Sequence, residues 1–132
     1  GVHLGQGDTP IKEARNRLGD HAIIGITCHN QVQLAISAQT AGASYVALGR
    51  FFASSTKASA SACDISLIRQ VKSKVACPVI TIGGINLDTA QTLIDEGADM
   101  IALCHGLFSA KNITRQASAL NQLFVNALGT HQ

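Results

Sequence analysis

The stretches NQVQLAISAQTAGASYVALGRFF (residues 30–52) and NLDTAQTLIDEGADMIALCHGLF (86–108) are one pattern written twice. Each opens on an Asn suited to cap a helix and runs through a helical segment to a Gly-Ala stop, at Gly42 or Gly97. A glycine there can take the left-handed position that ends a helix. Each then enters a short apolar strand that finishes near a glycine and an aromatic. A barrel places equivalent βα units around an axis, so this repetition favours a (β/α) barrel over a doubly wound sheet.

The same alternation extends outward from the repeat. Apolar runs of strand length lie at 2–5, 22–28, 45–49, 78–84 and 100–104. They are continuous rather than alternating, which predicts strands covered on both faces. Between them, residues 65–75 place Ile65, Ile68, Val71 and Val75 on one helical stripe behind a capping Asp64. Residues 87–95 do the same with Leu87, Ala90, Leu93 and Ile94 behind Asn86. The fold class is therefore α/β, a partial (β/α)8 TIM barrel of about five βα units. With 132 residues, 46% of them hydrophobic, the chain suffices for one domain over 1–132 and not for two.

Ten Lys and Arg against eight Asp and Glu leave a net charge of +2, which supplies no broad basic face for nucleic acid. No apolar run reaches the length of a membrane span, and the opening GVHLGQGD has neither the charged nor the apolar region of a signal peptide. A cytoplasmic location without membrane contact is the expectation. Cys28, Cys63, Cys77 and Cys104 form no CxxC pair and are expected as reduced thiols. The chain opens in strand-like sequence without an initiator Met, so it is expected to begin within a longer protein. Five strands also leave open edges, to be covered by preceding sequence or by a second copy in a homo-oligomer.

Unusual polar residues cluster just after the strands, where the loops of a barrel converge on one mouth. The connection 50–63 carries Arg50, Ser54, Ser55, Thr56 and Lys57. Hydroxyls beside a compact cation suit phosphate oxygens, although a solvated polar loop has the same composition. Gly83 and Gly84 follow the fourth strand, where missing Cβ atoms allow close approach of backbone N–H groups to phosphate, or simply a tight turn. Asp8 could hold Mg2+ through one oxygen, or serve as a turn residue or cap before a helix starting near Thr9 and Pro10. His29 beside Cys28 has no second pair for zinc. His3 reads as a ring satisfied inside the barrel or under a helix.

The segments GVHLGQGD, IIGITCHN, GASYVALGRFFASSTK, PVITIGGI and GADMIALCHGLF, in this order, resemble the thiamine-phosphate synthase family. The resemblance covers almost the whole chain and corresponds to the fourth through eighth strands of that family's barrel. It implies condensation of 4-amino-5-hydroxymethyl-2-methylpyrimidine diphosphate with a thiazole phosphate, releasing pyrophosphate. It further implies Asp8 as a Mg2+ ligand, Thr27 as a catalytic contact to the pyrimidine diphosphate, and Ser54 and Thr56 near the substrate phosphates. Lys57 would draw off pyrophosphate, and Gly83, Gly84, Cys104 and His105 would cradle the thiazole phosphate. Gly7 and His105 depart from the residues many relatives carry, and the Gln-Arg-Lys group and Asn-Asp pair of the family's earlier strands are not in these residues. The 132 residues alone are thus expected to be inactive. A related thiazole tautomerase, with His29 at its histidine position, and a non-catalytic phosphate-binding half-barrel are the alternatives.

Overall fold

A computed structural model describes residues 1–53 and 62–129. Strands and helices alternate: β1 (Val2–Leu4), α1 (Ile11–Leu18), β2 (Ile24–His29), α2 (Val32–Thr40), β3 (Tyr45–Leu48), α3 (Ser66–Lys72), β4 (Val79–Ile82), α4 (Leu87–Asp95) and β5 (Met100–Ala102). Two helices follow, α5 (His105–Phe108) and α6 (Ile113–Gly129). All neighbouring strands are parallel and their spatial order is the sequence order, β1-β2-β3-β4-β5. Among the described residues the order never reverses, so they contain no switch point of a doubly wound sheet; the units wind in one direction, as in a barrel. No helix among the described residues is long and apolar enough to cross a membrane.

The sheet is not covered on both faces, contrary to the expectation from its continuous apolar strands. Side chains alternate between faces along a strand. Ile24, Cys28, Val46, Leu48, Val79 and Thr81 are fully buried, in a core shared with Ala35, Ile68, Val71, Ala90 and Leu93 from the helices. On the opposite, concave face Ile82 and Met100 remain 46% and 39% exposed. The five strands do not close into a ring among the described residues, so their inward side chains border hollows rather than a closed core.

The repeat recognised in the sequence extends to its hydrogen bonds. Ser44, just before β3, donates its N–H to Ile24 O (2.7 Å) and accepts the Ile24 N–H on Oγ (3.0 Å). Asp99, just before β5, donates to Val79 O (3.0 Å) and accepts the Val79 N–H on Oδ2 (2.7 Å). A cation from the helix two before each strand completes the arrangement. Arg15 reaches Ser44 Oγ (3.3 Å) and the carbonyls of Gly42, Gly19, Asp20 and Ala22, while Lys72 Nζ holds both Asp99 oxygens at 2.7 and 2.8 Å. Gly42 and Gly97 adopt the expected positive φ, 95° and 101°.

The caps differ between the two copies. Asn86 Oδ1 accepts the N–H groups of Asp88 and Thr89, both at 3.0 Å, and Thr89 Oγ1 accepts the Asn86 N–H, a full capping box. Asn30 does not cap α2: a turn in which Gln31 N–H bonds Cys28 O moves the N-cap to Gln31, whose side chain makes no cap bond. Asp64 accepts the Ser66 N–H at 2.8 Å, and its bonds with Ser66 hold the carboxyl below the usual carboxylate range. Helix α3 stops at Lys72, short of the expected 75. The chain beyond it is taken by α2: Gln39 Oε1 accepts the N–H groups of both Ala76 and Cys77.

Arg15→Met removes charge-assisted bonds to four carbonyls, those of Gly19, Asp20, Ala22 and Gly42, whereas Lys72→Met leaves Asp99 still bonded to Val79. Urea unfolding should show a loss of about 2–3 kcal/mol for the first and about 0–1 kcal/mol for the second. Equal losses would contradict this ranking.

Candidate functional site

Because all five strands are parallel, the loops that follow them leave the sheet at one end. Thr27 lies on the concave face near that end of β2, in a cavity of about 220 Å3 lined by His3, Thr27, Tyr45, Ala47, Ile80, Ile82 and Ala102. The floor is small and apolar, and three polar side chains form one wall. His3 lies within 2.9 Å of Tyr45 Oη through Nδ1 and 2.9 Å of Thr27 Oγ1 through Nε2, with its ring stacked on Tyr45. Both ring nitrogens are thus partnered, as expected, although His3 itself is exposed.

Gly83 and Gly84 line a neighbouring cavity of about 240 Å3 together with Cys104, His105 and Gly106. The two cavities share Ile82 and Ala102. Close approach explains the glycines. Gly84 has φ +67°, and a Cβ there would come within 2.6 Å of the carbonyl oxygens of both Phe52 and Ala53. Phe52 N–H donates to Gly83 O at 3.1 Å, which seats the start of the 50–63 connection on this turn. At the other wall, a Cβ on Gly106 would collide with Ile85 O, and Gln116 on α6 donates to Gly106 O at 3.1 Å. The turn after β4 and the start of α5 are therefore pressed together, bringing Gly83, Gly84, Cys104 and His105 to one hollow.

Asp8 and His29 stand apart from both cavities. Asp8 Oδ2 accepts the Gly5 N–H at 2.6 Å, the turn role, and the helix cap is Pro10 without a side-chain bond. Its carboxylate lines a groove between the start of α1 and α2, while the adjacent Gln6 donates to Thr27 O at 2.7 Å. No group of three or more His, Cys, Asp or Glu among the described residues could hold a metal ion. One carboxylate oxygen suits Mg2+ only when substrate phosphates and water fill the rest of its shell. His29 is exposed with φ 51° at the end of β2 and lines neither cavity. Ser54, Ser55, Thr56 and Lys57 lie outside the described residues.

Tyr45 was not singled out in the sequence, although its place two residues from Ala47 on a strand, opposite Gly25, puts it on the concave face. The thiols divide by burial. Cys28 is buried and pushed up to about 11 by desolvation, Cys63 and Cys77 are raised for the same leading reason, and Cys104 is exposed.

The thiamine monophosphate synthase family model matches residues 1–107. Thiamine phosphate pyrophosphorylase from Pyrococcus furiosus superposes with a TM-score of 0.84 at 30% identity, over 97% of this chain and 60% of that one. The chain thus spans 60% of the length of that relative. A 3-hexulose-6-phosphate synthase matches with a TM-score of 0.70 at 16% identity, over 92% of this chain and 60% of its own. The (S)-3-O-geranylgeranylglyceryl phosphate synthase from Thermoplasma acidophilum, in complex with sn-glycerol-1-phosphate, matches with a TM-score of 0.59 at 18% identity, over 77% and 48%. At such identities the last two speak for the fold alone.

The thiolate is the reactive form, so alkylation should follow exposure and thiolate supply. With iodoacetamide at mildly alkaline pH, peptide mass spectrometry should find Cys104 modified first and Cys28 last. Early loss of Cys28 would contradict its burial.

Proposed function

The chain belongs to the thiamine monophosphate synthase family, whose model matches residues 1–107, and on that premise we propose that it forms part of a thiamine-phosphate synthase site. The reaction joins 4-amino-5-hydroxymethyl-2-methylpyrimidine diphosphate to a thiazole phosphate. The bond between the pyrimidine methylene carbon and the diphosphate oxygen breaks, pyrophosphate leaves with the electron pair, and the thiazole nitrogen lone pair forms the new C–N bond. One observation carries this reading: the hydroxyl-bearing hollow at Thr27 and the glycine-walled hollow at Gly84 lie side by side, both lined by Ile82 and Ala102. Two phosphorylated reactants must meet in such a pair of adjoining spaces.

The proposed roles follow from chemistry. Thr27 donates its hydroxyl proton to a diphosphate oxygen as charge builds there, an effect realised most fully in the transition state. The backbone around Gly83, Gly84, Cys104 and His105 receives the thiazole phosphate. Ser54, Thr56 and Lys57, outside the described residues, complete the diphosphate contacts, with Lys57 offsetting charge on the departing pyrophosphate. Asp8 is the residue of this chain that would hold Mg2+, and the ion would supply further neutralisation of the leaving group. The apolar floor of Ala47, Ile80 and Ala102 suits a flat ring and keeps water from a reactive cation. Lacking the family's Gln-Arg-Lys group and Asn-Asp pair, the 132 residues are inferred not to turn over by themselves.

Pyrophosphate release measured with both substrates and Mg2+ tests the reading in two steps. The 132 residues alone should give none, and robust turnover would refute the requirement for further strands. In the complete gene product, Lys57→Ala should lower kcat about 100-fold with an unchanged melting temperature; near-normal rates would remove Lys57 from the chemistry. Millimolar inorganic phosphate should also slow Cys104 alkylation, and no protection would count against the cradle.

A further inference from the structure

His3, Gly25 and Tyr45 are register partners in one row across β1, β2 and β3. The middle position carries no side chain, and a Cβ there would collide with the Tyr45 ring at Cζ and Cε2. The phenol therefore lies across β2 onto His3, with ring centroids 5.7 Å apart and planes 21° from parallel. Thr27, next along the inward face of β2, is held by the other imidazole nitrogen. The result is an unbranched chain of polar atoms: Tyr45 Oη, His3 Nδ1, His3 Nε2, Thr27 Oγ1.

Such a chain has a direction. A neutral imidazole has one donor and one acceptor nitrogen, so its two hydrogen bonds must run the same way. In one sense Thr27 spends its proton on His3 and turns lone pairs toward the cavity, which repel an anionic oxygen. In the other sense His3 donates to Thr27 and the hydroxyl proton is left for the cavity. A phenol, with a pKa of about 10, is a much stronger acid than an aliphatic alcohol and is the better donor to an imidazole nitrogen. The acidity order therefore selects the second sense.

We propose that Tyr45 and His3 are positioning residues that make the Thr27 hydroxyl an outward-pointing donor. Tyr45 Oη–H donates to His3 Nδ1, His3 Nε2–H donates to Thr27 Oγ1, and the Thr27 proton is presented to a phosphate oxygen of the ligand. The ligand end rests on the proposed function; the direction of the chain does not. It also assigns a role to Gly25, as the gap over which the tyrosine reaches the histidine.

The test reads the two parts separately in the complete gene product. Long-range 15N–1H correlations on histidine-labelled protein, assigned with His3→Gln, should show His3 as the Nε2–H tautomer. Tyr45→Phe keeps the ring over Gly25 and should shift His3 toward a mixture. A wild-type Nδ1–H tautomer overturns the proposal. In kinetics, Tyr45→Phe should lower kcat/KM about tenfold when Thr27 is present and less than twofold in a Thr27→Val background, as for residues acting through one another. Equal effects in both backgrounds overturn the positioning role. An Nε2–H tautomer with a costless Thr27→Val would instead sink the reading of the site, and the ligand end of the proposal with it.

Discussion

The register of the parallel sheet is the constraint from which the other features follow, and it is set at the edge opposite the cavities. Ser44 fixes β3 against the start of β2, and Asp99 fixes β5 against the start of β4, each by a backbone and a side-chain bond to one residue. A slip of one position would exchange the two faces of a strand. Val46 and Leu48 would then point into the hollow, and Tyr45 and Ala47 into the helices. Arg15 and Lys72 guard against that slip by engaging the same Ser44 and Asp99 that set the alignment.

With the register fixed, the two faces divide the labour. The face under the helices supplies the buried core, and the inward face supplies a hollow whose small residues leave room beneath His3, Thr27 and Tyr45. Glycines act by absence in two different ways. Gly25 lets a side chain cross a strand, and Gly84 lets one loop backbone rest against another. Neither place tolerates a Cβ without movement of its neighbours, so site geometry is carried by missing atoms as much as by polar ones.

The architecture was largely legible because it depends on local signals. The repeat at 30–52 and 86–108, the glycines at 42 and 97, the Asn86 box and all five strands can be found from short-range pattern. Failures came where partners are distant. Asn30 looked like Asn86, yet the turn after β2 moved the helix start past it. The run of apolar residues in each strand suggested cover on both faces, because hydrophobicity records what a face tolerates and not what is packed on it. Of the candidate site, the pair Gly83 and Gly84 is legible from its place at a strand end and Thr27 from the family resemblance, and they line neighbouring hollows. Tyr45 escaped notice because only cross-strand pairing brings it to His3, 42 residues away.

The strand order has a consequence for synthesis. Among the described residues each strand after β1 pairs with the one made just before it, so none of them has to be inserted between two that are already joined. As the chain leaves the ribosome, the sheet can lengthen at one growing margin, each βα unit closing a short loop onto its predecessor at low entropic cost. A doubly wound order would require later strands to return to the opposite side of the first. Sequential growth avoids that return, since each unit is added at the margin the preceding one has just formed.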